Sequence, residues 1–176
     1  MLSYYLYKVF ENNLTFLVLL DIIRDILLGL VVILVFCSIL IRGFKTNKID
    51  LVSTLEIILV VLISFLLTTL LKAINPEIRP LSYFYPYYDQ FFDSFPSRHT
   101  TIATSLAIIV LFHNLELGTL LIFLSFIIGF LSWFSLQHWF LDVLAGWFLG
   151  FIIGIFVLEI VKLFLRFYRQ KIKSSS

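Results

Sequence analysis

Apolar residues run through this chain in long blocks, and polar residues break it at a few defined places. Four blocks are long: one within Leu14 to Ile41, cleanest from Gly29 onward, then Leu51 to Ile74, Leu117 to Phe134 and Trp139 to Phe167. A fifth, Thr100 to Phe112, is shorter. A helix crossing the hydrocarbon of a bilayer needs about 20 apolar residues, within a range of roughly 17–25. Five spans therefore fit, the third reaching full length only if residues 96–99 form its mouth. Ahead of them, Met1 to Asn13 carries Tyr4, Tyr5, Tyr7, Lys8 and Glu11, unlike the basic start and short apolar core of a cleaved signal. It reads as a short helix lying in the membrane interface, with its tyrosines at headgroup level. The expected fold is all-α: a polytopic integral membrane helix bundle of about five transmembrane helices plus the interfacial one, in a single domain over residues 1–176.

Composition supports this class. Hydrophobic residues make up 61% of the 176 and charged residues only 14%, against about 25% charged in soluble domains. A net charge of +2 is too small to indicate nucleic acid, and no basic stripe runs through aromatic platforms. The single cysteine, Cys37, excludes an internal disulfide and is expected to pack as a small apolar residue in a helix.

Loop charge orients the bundle. Arg42, Lys45 and Lys48 separate the first two blocks, and Lys162, Arg166, Arg169, Lys171 and Lys173 follow the last; residues 168–176 form a basic tail. With five spans both stretches fall on one side, which the positive-inside rule makes cytoplasmic. The long loop, residues 73–98, then lies on the opposite face. It is crowded with aromatics, Tyr83, Phe84, Tyr85, Tyr87, Tyr88, Phe91, Phe92 and Phe95, which suit an interfacial anchor or a doorway for a lipid tail. In the first block Asp21, Arg24 and Asp25 form a cluster, with Arg24 three residues after Asp21 on one helix face; we expect it near an interface or facing protein, without a catalytic role. In the last block Gly146, Gly150 and Gly154 recur every fourth residue, a packing signal that lets helix backbones approach.

Three polar clusters mark the same extracytoplasmic face: Lys72 to Arg79-Pro80, Pro96-Ser97-Arg98-His99, and His138 with Asp142. Ionisable residues near bilayer depth are costly and point to function. His138 and Asp142, four apart, share a helix face. A carboxylate holding one imidazole nitrogen fixes the tautomer and leaves the other nitrogen free to attack phosphorus. His99 is the natural acid for the departing group. Lys72 and Arg79, with the Ser97 hydroxyl and the amides at a helix start, would cradle the anion. Taken singly, each residue also has a plain structural reading, as an interfacial histidine or a snorkelling cation. His113, on the other side, is read as structural. His, His and Asp can also bind zinc, but three neighbouring cations would repel a divalent ion, so no metal and no cofactor is expected.

At these residues the chain resembles the type 2 phosphatidic acid phosphatases, also called lipid phosphate phosphatases. Their first motif, Lys-six residues-Arg-Pro, is met in full by Lys72 to Pro80; their Pro-Ser-Gly-His reads Pro96-Ser97-Arg98-His99; of Ser-Arg-five residues-His-three residues-Asp, His138 and Asp142 are present while Leu131 and Ser132 stand at the Ser-Arg positions. The resemblance spans about Leu51 to Phe156. It implies that His138 forms a phosphohistidine, that Asp142 orients it, that His99 donates the proton, and that Lys72, Arg79 and Ser97 hold the phosphate without a metal. Arg98 is expected to replace the missing third-motif arginine. The substrates implied are lipid A 1-phosphate or undecaprenyl pyrophosphate first, phosphatidylglycerophosphate or phosphatidate next. The chain's small size resembles bacterial members, which implies a multi-pass protein of the bacterial inner membrane whose partners are a phosphorylated lipid and the bilayer, with no obligate protein partner. A non-catalytic module that binds or transports a phospholipid headgroup is the alternative class, and vanadate-dependent oxidation a remoter one.

Overall fold

The computed structural model describes residues 2–10, 13–46, 51–85 and 93–175. They form seven helices: α1 (Leu2–Phe10), α2 (Leu14–Thr46), α3 (Leu51–Ile74), α4 (Pro80–Phe84), α5 (Arg98–His113), α6 (Leu115–Phe134) and α7 (Phe140–Ser175). Lys48, Tyr87, Tyr88, Phe91 and Phe92 lie outside the described residues.

The protein is a polytopic helical membrane bundle, and its helices are patterned inside out. The buried stripe of α3 is Ser53, Glu56, Val60, Ser64, Thr68 and Lys72, while Leu55, Ile58, Leu62, Phe65, Leu66 and Leu70 face outward. Lipid tails are as apolar as leucine, so in a bilayer small and polar side chains gain more by turning inward, where they allow close approach and find partners. Ser64 and Ser105 join α3 to α5 through their hydroxyls at 3.0 Å. Cys37, expected inside a packed helix, lies on α2 with its side chain exposed.

Among the described residues, four helices are long and apolar enough to span a membrane: α2, α3, α6 and α7. The expected fifth span, α5, has 16 residues, about 24 Å of helix. It does not need lipid-facing length, because it is the central rod. Ten of its residues, Thr100, Thr101 and Ala103 to Val110, are buried, and α2, α3, α6 and α7 all pack against it. Enclosure by other helices also explains why a helix with Thr100, Thr101, Thr104 and Ser105 on it is stable at membrane depth: the hydroxyls of Thr101 and Ser105 return to the carbonyls of Ser97 and Ile102.

The glycine ladder of α7 faces this rod. A Cβ on Gly146 would lie 2.9 Å from the Ser97 carbonyl oxygen, on Gly150 2.6 Å from that of Thr101, and on Gly154 2.7 Å from Ile108 Cβ. The α5–α6 corner is tight for a similar reason, since a Cβ on Gly118 would lie 2.2 Å from Leu111 Cα, and Asn114 caps α6 by accepting from Leu117 N at 3.1 Å.

Helix direction puts the two ends apart. The start of α2, the end of α3, the start of α5 and the α6–α7 turn lie together at one end. At the other, Arg42 of α2 donates to Ser53 Oγ and to the His113 carbonyl, both at 3.2 Å, and His113 Nε2 meets Glu56 at 2.5 Å. α1 lies across the first end. Tyr7 stacks on Phe84 at 4.7 Å, Trp133 Nε1 donates to Ser3 Oγ at 3.4 Å, and Leu17, Leu81 and Leu136 form a small core beneath.

Candidate active site

Residues 135–139 link α6 to α7 and present His138. Leu136 there has φ 57°, a left-handed backbone that costs a leucine roughly 1–2 kcal/mol. The conformation is held because the side chain is fully buried and its carbonyl accepts from Leu81 N at 2.7 Å. Strain of this kind, kept next to titratable groups, is a mark of a functional turn.

His138 is buried, and its Nδ1 lies 2.7 Å from the carbonyl oxygen of Ser94. A carbonyl only accepts, so Nδ1 carries the proton and Nε2 keeps its lone pair. Asp142 Oδ2 is 3.8 Å from Nδ1, beyond hydrogen-bond range. It acts instead on the frame of the ring: it accepts from Ser94 Oγ at 2.5 Å and from Trp139 N at 2.8 Å. Burial lowers the pKa of His138 to about 4, against the opposing pull of Asp142. The imidazole is therefore neutral near pH 7.

The long loop closes on this turn. Lys72, at the last turn of α3, donates to the carbonyls of Asp93 and Ser94. Arg79 grips the Asp93 carboxylate with Nε at 2.7 Å and Nη2 at 3.0 Å, and its Nη1 donates to Gln137 Oε1. Burial alone would raise the Asp93 carboxyl, but the Arg79 fork and, beyond it, Lys72 and His138 hold it below the ordinary carboxylate range. The Asp93 carboxylate thus occupies the guanidinium fork of Arg79, where it would compete with any incoming anion. We predict that Asp93→Asn lowers the concentration of inorganic phosphate or vanadate that half-occupies the site, by roughly fivefold for an ion pair of about 1 kcal/mol. Isothermal titration measures it; weaker binding by the variant would mean that Asp93 positions Arg79 and does not compete for it.

The start of α5 completes the cluster. Ser97 N donates to the Asp142 carbonyl at 3.1 Å, tying α5 to α7. Ser97 is fully buried, and its hydroxyl pairs with Thr100 Oγ1 at 2.9 Å and caps no amide. Arg98 stacks its guanidinium on Phe65 of α3, 4.8 Å from the ring centre. His99 Nε2 is 3.2 Å from Asp25 Oδ1 of α2. Tyr83 and Phe84 flank Trp139, with ring centres 6.1 and 6.2 Å away, as a collar above the turn.

Lys72, Arg79, Ser97, His99, His138 and Asp142 therefore meet at one end of the bundle, and His113 is at the other. Four neighbours escaped sequence reasoning. Ser94, Asp93 and Gln137 carry no motif of their own. Asp25 did carry a signal, an acid within an apolar block, but its proximity to His99 is a tertiary fact.

The sequence matches the PAP2 superfamily over residues 53–166, more than half of the chain and the stretch that holds every motif residue above. Among solved structures, the crystal structure of Aquifex aeolicus LpxE matches with a TM-score of 0.60 and 25% identity, over 80% of this chain and 86% of that one. No curated protein sequence matches the chain. Motifs, site geometry and family match coincide on the same residues, and the chain belongs to the PAP2 superfamily.

Proposed function

We propose that this membrane phosphatase removes the terminal phosphate of a lipid monophosphate or pyrophosphate by way of a phosphohistidine on His138. The carrying observation is the Ser94 carbonyl at His138 Nδ1, which leaves Nε2 as a buried, neutral nucleophile beside two cations. In the first step Nε2 bonds to phosphorus, the bond from phosphorus to the lipid oxygen breaks, and His99 gives that oxygen its proton. In the second step water attacks phosphorus, His99 takes a proton from it, and the P–N bond breaks to release inorganic phosphate. Lys72 and Arg79 balance charge on the phosphoryl oxygens, with Arg79 exchanging Asp93 for the substrate. The amides that open α5 add donors of the kind that favour phosphate. Arg98 contributes cationic charge at the cradle rim from its place on Phe65.

Lipid A 1-phosphate and undecaprenyl pyrophosphate are the favoured substrates, with phosphatidylglycerophosphate and phosphatidate next; likeness to LpxE supports the first. The basic ends of α2 and α7 lie away from the site, which favours an extracytoplasmic active site in a bacterial inner membrane. Purified protein assayed for phosphate release against these four lipids, beside His99→Ala and His138→Ala, tests the reading. One headgroup should be preferred and its hydrolysis lost in both variants. Tight lipid binding with no release of phosphate by the parent would make the chain a headgroup-binding module.

A further inference from the structure

We propose that Asp25 of α2 is the positioning residue of His99, so that a carboxylate stands by each histidine of the site, in a set drawn from three helices, α2, α5 and α7, and the α6–α7 turn. The proposal rests on the phosphatase reading and on His99 as its acid. His99 Nε2 stands 3.2 Å from Asp25 Oδ1, at ion-pair distance, so Nε2 is the nitrogen that faces the carboxylate. Nδ1 is buried and has no hydrogen-bond partner among the described residues; in the imidazolium form Nδ1–H is the proton given to the leaving oxygen while Nε2–H stays on Asp25.

Asp25 is itself held fast. Arg24 donates to the same Oδ1 from Nε at 3.0 Å and Nη2 at 2.7 Å, and its Nη1 is 2.5 Å from Asp21 Oδ1. Arg24 is only 4% exposed, and all three nitrogens serve the two acids. It therefore acts as a clamp that orients Asp25. The charged and titratable groups facing His99 are Arg24 and Asp25 from α2, Arg79 from the long loop and His138 from the α6–α7 turn. Burial and the three groups that are or can become cations disfavour a protonated ring, and Asp25 is the anion that opposes them. Asp21, Arg24 and Asp25 precede the segment that matches the family, residues 53–166, so none of the three motifs includes the carboxylate side of this pair.

A residue that acts through the acid should matter in proportion to how badly the leaving group needs a proton. The test compares kcat/KM for n-dodecyl phosphate, whose alkoxide needs protonation, with 4-nitrophenyl phosphate, whose phenolate does not. General acids contribute about 10²–10⁴-fold. Asp25→Asn should lose roughly 30-fold or more on dodecyl phosphate and less than about threefold on the nitrophenyl ester. Asp25→Glu should recover part of the loss, and Asp25→Asn placed on His99→Ala should cost nothing further. Equal losses on both esters, or none on either, overturn the proposal while His99→Ala still shows the split. If His99→Ala shows no split, or the parent cleaves neither ester, the phosphatase reading with His99 as acid is what fails.

Discussion

His138→Ala should abolish lipid phosphate hydrolysis, with a loss on the order of 10⁴-fold or more, while the protein still folds. Removal of a nucleophile takes away the bond-forming atom, and losses of this order, above about 5 kcal/mol of activation free energy, are usual for such residues. The fold should survive because the deleted ring leaves its frame in place: Asp142 keeps Ser94 Oγ and Trp139 N, and Ser97 N keeps the Asp142 carbonyl. Two further readouts separate a nucleophile from a binding residue. Parent enzyme quenched during turnover of ³²P-labelled substrate should carry label that is lost in acid and kept in alkali, the behaviour of a phosphorus–nitrogen bond, and His138→Ala should carry none. The pH profile has a definite sign. The reactive form is the neutral ring, and burial has moved its pKa down to about 4. Once the substrate's own ionisation near 6 is divided out, the loss of kcat/KM that comes from protonating His138 should set in only as pH drops through about 4. A decline centred near the ordinary histidine value of about 6.5 would mean that a different imidazole sets the rate.

Gly150→Val should be the most damaging of the glycine substitutions in α7. A side chain there begins 2.6 Å from the Thr101 carbonyl oxygen and 2.8 Å from Thr104 Cβ. Backbone oxygen cannot swing aside, so α7 must move off α5, at a cost of about 1–3 kcal/mol or more. The same two helices hold Asp142 and Ser97–His99, joined by the Ser97 N bond to the Asp142 carbonyl. Activity should therefore fall together with the melting temperature in detergent. Gly29→Ala is the matched control: nothing lies within 4 Å of a Cβ at that position on α2, and alanine is favoured over glycine in a helix by roughly 0.5–1 kcal/mol. It should melt at or slightly above the parent temperature. Equal damage from both would mean that helix contact at Gly150 is not what stabilises the bundle.

How much of this was legible beforehand depends on the range of the interaction involved. The spans α2, α3, α6 and α7 follow from runs of apolar residues, which need no partner to be recognised. Leu51–Ile74 matches its block at both ends because Asp50 and Asn75-Pro76 punctuate it. The glycine ladder of α7 was legible as well, since small residues at a helical period can only serve close approach. What escaped was α5's place. Its short block reads as a weak span, although the reason it is short, enclosure by four other helices, lies in residues far along the chain.

The site divides in the same way. Lys72, Arg79, Ser97, His99, His138 and Asp142 could be named because an acid–base and phosphate chemistry needs those side chains and their spacing lies within single segments. The sequence could not tell that Nδ1 of His138 is held by a backbone carbonyl with Asp142 one bond further out. Nor could it tell that Asp93 fills the Arg79 fork, that Arg98 turns to Phe65, or that Asp25 reaches His99 across 74 positions. Periodicity and residue chemistry are local, so one sequence determines spans and the list of candidate reactive groups. Partners are chosen by packing between helices, where a backbone oxygen competes on equal terms with a carboxylate, and only the folded bundle decides which of them wins.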